Sequence, residues 1–194
     1  MFNYRAATIK DLEKTIMKDI SKTRKISIIG TCGTGKSSLA LRLGELLDLP
    51  VCHIDCIYHK PGGAYEEKEI VTEKVKEISK GEKWIIEGTY GRTLEHRFTV
   101  SDLVIFLNFP QEFCIESVKN RQGKPGRVGL PEYFVETDEG LDLMLSYHIT
   151  QKFPQTYKEI IKPLIEKYKE KVVEFTTRKQ VTDFLDELKA CLRM

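Results

Sequence analysis

A chain of 194 residues is a little longer than a typical single domain and can bury most of the surface that its unfolded form exposes. Hydrophobic residues at 41% and charged residues at 31% exclude the disordered and fibrous classes, and no apolar run approaches the roughly 20 residues that a membrane-spanning helix needs. The formal charge of +2 gives no global field that would draw the chain to nucleic acid or an anionic membrane, so one cytoplasmic body, monomeric or homodimeric, is expected.

In chain order, Ile9, Leu12, Ile16 and Ile20 recur at helical spacing, and residues 1–24 read as an amphipathic extension to a domain over 25–194. The β-branched run Lys25-Ile26-Ser27-Ile28-Ile29 then predicts a strand, and Leu39, Leu41, Leu43 and Leu47 predict the helix that follows. After the breaker Pro50, a strand over 51–54 delivers Asp55 at its end. Cys52, His53, Cys56 and His59 follow here, but their spacing matches no standard zinc site, and neighbours on a strand point to opposite faces. The odd count of five cysteines fits reduced thiols better than a disulfide framework.

Lys60-Pro61-Gly62-Gly63 reads as a turn, and a charged helix over about 66–79 leads to the strand Trp84-Ile85-Ile86, which ends in Glu87-Gly88. A short helix carries His96 and Arg97 before the strand Leu103–Leu107. From about 121 to 140 the periodicity lapses into a glycine- and proline-containing loop, the candidate lid. A long helix through Tyr157, Ile160, Ile161, Leu164 and Tyr168, a strand Val172–Phe175 and a helix over 181–192 close the chain. Apolar strands alternating with helices predict an α/β fold with a five-stranded parallel sheet covered on both faces.

The segment Gly30-Thr31-Cys32-Gly33-Thr34-Gly35-Lys36-Ser37 satisfies G-x-x-x-x-G-K-[ST] in full, between a strand and a helix as that P-loop requires. Its glycines let successive N–H groups converge on phosphate oxygens, and the helix after it adds a positive dipole end, with Ser38 in its first turn. Lys36 would reach the terminal phosphates of ATP, and the Ser37 hydroxyl would ligate Mg²⁺. Strand ends of a parallel sheet meet at one crevice, which places Asp55, Glu87 and Asn108 as candidates there. Glu87 would hold Mg²⁺ through its water shell, and Asp55 would orient an acceptor hydroxyl or take its proton. Phosphoryl transfer gathers negative charge, and Arg92, Arg97, Arg121 and Arg127 are the candidate cations to neutralise it, with Glu87, Arg92 and Arg97 lining the acceptor side beside Asp55.

These segments, with His53-Ile54-Asp55, His59-Lys60-Pro61-Gly62, Trp84 through Leu94 and Val104 through Pro110, resemble the adenylate-kinase-related proteins known as DNA topology modulation (FlaR-like) proteins over about residues 25–175. The resemblance implies a nucleoside-monophosphate-kinase-like P-loop fold with a short lid, and transfer of the γ-phosphate of Mg-ATP to a small acceptor, a nucleotide or nucleoside. Glu87-Gly88 with Arg92 takes the place of that group's Asp-Gly-x-x-Arg, with Glu for Asp and the arginine one residue later, and Asn108 replaces an aspartate in Leu-Asp-x-Pro. A small hydroxy acid of the shikimate or gluconate type is the other acceptor class. The alternative, a nucleotide-dependent regulator tied to DNA, has no recognisable nucleic-acid-binding module behind it.

Overall fold

The computed structural model describes residues 22–122, 128–134 and 137–192. The amphipathic extension lies outside these residues except for Lys22, Thr23 and Arg24, and so do Arg127 and part of the expected lid.

Five strands, β1 (Lys25–Gly30), β2 (Val51–His53), β3 (Trp84–Glu87), β4 (Leu103–Leu107) and β5 (Val172–Phe175), form one parallel sheet in the order β2-β3-β1-β4-β5. The three central strands are almost wholly buried, as continuous apolar runs covered on both faces must be. On one face, Leu39, Ala40 and Leu43 of α1 (Lys36–Leu47) pack against Ile26, Ile28, Ile85, Ile105 and Leu107. Cys114 and Val118 of α2 (Gln111–Lys119) and Phe184, Leu185 and Leu188 of α3 (Arg178–Leu192) extend that layer.

The opposite face is covered in two patches. Leu94 and Phe98 of α4 (Gly91–Val100), with Ile161 and Leu164 further on, cover Ile29, Val104 and Phe106. Val71 and Val75 of α5 (Lys68–Ser79) cover Trp84 and Ile86. Burying a side chain such as Phe98 contributes about 1.5–3 kcal/mol, so each patch can hold its helix in place.

Three elements differ from the sequence reading. The second strand stops at His53, and Ile54–Tyr58 turns at once into a short helix that carries Asp55 on its first turn. Helix α2 has no counterpart in the expected elements. The long helix runs through residues 138–167 and contains two π-helical stretches, Met144–Lys152 and Tyr157–Ile161. Each stretch ends two residues before a proline, Pro154 or Pro163. A proline ring displaces the carbonyl four residues back, and a widened turn accommodates it.

Candidate phosphate-binding site

Strand β1 lies at the centre of the sheet, between β3 and β4, and its last residue opens the glycine loop into the crevice beyond the strand ends. Gly33 in the loop has φ +85°, and a Cβ there would stand 2.4 Å from the Cys114 carbonyl oxygen, so only glycine fits. Gly35, also left-handed, precedes Lys36 without a side-chain cap, which leaves the first-turn N–H groups of α1 to a ligand. Cys32 is half-buried at the loop, and Ser38 is exposed on the first turn of α1.

Side chains brace the loop from within. The Thr34 hydroxyl donates to the Thr31 carbonyl at 2.9 Å, and Lys36 Nζ donates to the same oxygen, also at 2.9 Å. Thr89, just past β3, accepts from Gly30 N–H at 2.8 Å and donates to the Gly30 carbonyl at 2.6 Å. This double tie fastens the start of the loop to the end of β3. The sequence reading gave Thr89 no role.

Below the loop lies a buried polar cluster centred on Glu87, which is 2% exposed. Oε1 of Glu87 receives the Ser37 hydroxyl at 2.9 Å and stands 2.7 Å from His53 Nδ1. Burial works against its charge. The hydrogen bond from His53, the Lys36 ammonium and the Ser37 hydroxyl outweigh burial and hold the carboxyl below the usual range, so it is ionised at neutral pH. A carboxylate only accepts, which assigns the Nδ1 proton to His53. The sequence reading gave His53 no role beyond a rejected zinc pattern and a place in the segment His53-Ile54-Asp55. Its parallel register with Glu87 brings the two together.

Within the expected lid, segment 128–134 reaches this cluster through Gly129. Gly129 has φ +84°, and a Cβ on it would fall 2.5 Å from Ser37 Oγ and 3.0 Å from Glu87 Oε1. Tyr133 donates its hydroxyl to the His59 carbonyl at 2.6 Å, and the Phe134 ring meets the His59 ring edge-on at 4.8 Å. Segment 128–134 thus bridges the glycine loop and the turn after Tyr58.

The remaining candidates scatter. Asp55 is exposed on its short helix. Arg92 is exposed and ion-paired with Glu69 of α5. Arg121 rests its Nη2 on Met144 Sδ at 3.1 Å. Asn108 donates to Glu174 at 2.7 Å, towards the β5 side of the sheet.

Arg97 requires a correction. Expected beside an acceptor, it is fully buried under the strand ends, where it donates to the carbonyls of Gly88 at 2.6 Å and Ile86 at 2.8 Å and to Ser27 Oγ at 3.3 Å. Burial lowers its pKa to about 10, which leaves it charged at neutral pH. Its position on α4, one turn from Thr93 and beside Phe98, puts it on that helix's inward face.

No protein-family model matches this chain. The uncharacterised protein YqaC of Bacillus subtilis (strain 168) is 31% identical over 106 residues, which span 51% of this chain and 57% of that relative. Among solved structures, shikimate kinase from Bacteroides thetaiotaomicron aligns over 89% of this chain and 99% of its own, with a TM-score of 0.55 at 18% identity. Shikimate kinase from Acinetobacter baumannii, in complex with shikimate, aligns over 91% and 97% with a TM-score of 0.54 at 17% identity. A gluconokinase from Sinorhizobium meliloti 1021 covers 88% and 92% with a TM-score of 0.52 at 13% identity. At these identities the likeness establishes the fold, that of the P-loop kinases. Among the described residues, no helix is long and apolar enough to cross a membrane.

Proposed function

We propose that the chain is a cytoplasmic small-molecule kinase that transfers the γ-phosphate of Mg-ATP to a hydroxyl or phosphate acceptor, a nucleotide or nucleoside in the first instance. The observation that carries this reading is the joining of Lys36, Ser37 and Glu87 at the mouth of one glycine loop. Lys36 would leave the Thr31 carbonyl for the terminal phosphates, where its charge offsets what builds up during transfer.

The oxygen donors Ser37 Oγ and Glu87 suit Mg²⁺, which takes one or two protein oxygens and completes its shell with water and phosphates. When bound, Mg²⁺ would neutralise phosphate charge. Glu87 stays ionised without it, so the cluster is ready for a cation.

On the acceptor side, Asp55 would take the proton of the attacking hydroxyl as the new O–P bond forms and the bond to ADP breaks. Arg92, once released from Glu69, and Arg121 and Arg127 around the lid would supply cations to the moving phosphoryl group. Arg97 is committed to main-chain carbonyls and is left out of this role.

The resemblance to FlaR-like proteins supports the nucleotide or nucleoside class, and the kinases of similar fold support shikimate- and gluconate-type hydroxy acids as the next class to try. The test is ADP release from Mg-ATP against a panel of nucleoside monophosphates, nucleosides, shikimate and gluconate. One acceptor should raise turnover well above background, and Lys36→Ala should reduce it by about 10²–10³-fold. If ATP binds but no acceptor accelerates its turnover, and DNA binding instead proves strong and sensitive to salt, the reading gives way to a nucleotide-dependent role on DNA.

A further inference from the structure

His53 is a half-buried polar group at the Glu87 cluster that the proposed reaction does not use. It ends β2, and its parallel register partner is Glu87 at the end of β3. Side chains in register on neighbouring parallel strands stand side by side, about 4.8 Å apart at the backbone. Its neighbour Cys52 is paired with Ile86 and packs into the opposite layer with Val71 and Val75, so the pleat alone aims His53 at the carboxylate. The side chains of His53 and Glu87 are 13% and 3% exposed.

Oε1 of Glu87 therefore has two donors, the Ser37 hydroxyl and the His53 Nδ1–H. They differ in what a nucleotide does to them. To ligate Mg²⁺, Ser37 must present an oxygen lone pair to the ion and turn its hydroxyl hydrogen elsewhere. His53 has no such second duty, because it belongs to the sheet and not to the glycine loop.

Resting on the kinase reading above, we infer that His53 is a positioning residue that keeps Glu87 oriented towards the Mg²⁺ water shell once Ser37 has turned to the ion. A donor behind a metal-facing carboxylate fixes its rotamer and leaves the second oxygen to face outward. Without His53, the bound state would leave Oε1 buried with its remaining partner redirected, a costly arrangement in so sheltered a place.

The test is binding, read apart from turnover. Calorimetry of ATP with Mg²⁺ and with EDTA gives the gain in affinity that the ion brings. In the wild-type chain ATP should bind more tightly with Mg²⁺. In His53→Leu that gain should shrink by roughly tenfold, while the affinity for ATP in EDTA stays the same. His53→Asn places an amide N–H near the position of Nδ1 and should restore most of the gain, whereas His53→Gln reaches past it and should not. Circular dichroism and thermal midpoints confirm that the variants compared are folded, and if Leu fails to fold, the Asn and Gln pair carries the comparison.

A wild-type chain whose ATP affinity ignores Mg²⁺ would sink the kinase reading and this inference with it. A normal wild-type gain that persists in His53→Leu, or is lost equally in Asn and Gln, would overturn the inference alone.

Discussion

The two ends of the crevice are held together by different means. At the phosphate end, Thr34, Thr89, Glu87 and His53 are tied to main chain or to one another in sheltered positions. At the proposed acceptor end Arg92 meets Glu69 across the surface, both side chains more than half exposed, and Asp55 stands exposed. Buried polar groups must keep their partners, because each one left unsatisfied costs about 1–3 kcal/mol. Exposed ion pairs contribute little and exchange partners readily. The phosphate end is thus fixed by the fold before any ligand arrives, and the acceptor end can re-pair around what binds there.

The strongest way to break this contrast is at Arg97, the cation beneath the phosphate end. Arg97→Met removes the donors of the Gly88 and Ile86 carbonyls and of Ser27 Oγ in a place that water does not reach. Folding stability should fall by about 3–5 kcal/mol, read as a lower urea midpoint at an unchanged slope. A loss below about 1 kcal/mol would mean that the carbonyls regain partners easily and that the phosphate end is no more fixed than the other.

A smaller effect is expected at Gly33. In Gly33→Ala the new methyl meets the Cys114 carbonyl on α2, which cannot step aside as a flexible side chain would, and the residue is held at φ +85°. About 1–3 kcal/mol of stability should be lost, and ATP affinity should fall as the loop is displaced. Unchanged ATP affinity despite the lost stability would show that α2, not the phosphate loop, yields to the methyl.

The same contrast explains what could be read from the sequence. The glycine loop was legible because its chemistry sits in eight consecutive residues, and the strands because both faces are buried and their runs are continuously apolar. Helix α2 was missed because Cys114 and Val118 are its only fully buried residues, too few to mark a period. The inward turn of Arg97 was within reach: Thr93, Leu94, Arg97 and Phe98 fall on one helical face, and an arginine on that face predicts carbonyl partners more than a ligand. His53 could not have been found that way. Its partnership with Glu87 depends on the register of two strands 34 residues apart, and no local pattern encodes that.

Arg92 sharpens the contrast from the acceptor end. Its guanidinium and the Glu69 carboxylate are each more than half exposed, so the pair is well screened. Arg92→Ala should leave the urea midpoint where it is. If Arg92 swings from Glu69 to the phosphoryl group or an anionic acceptor, the loss of one charged donor should lower kcat/KM for that acceptor by roughly 10–100-fold, with ATP affinity unaffected. Glu69→Gln separates the two duties of the arginine, because it frees Arg92 without removing it. If the surface pair competes with the acceptor, this variant should bind the acceptor at least as well as the wild type. Should Glu69→Gln weaken acceptor binding as much as Arg92→Ala does, the ion pair itself would be shaping the acceptor side, and that end of the crevice would be preformed as well.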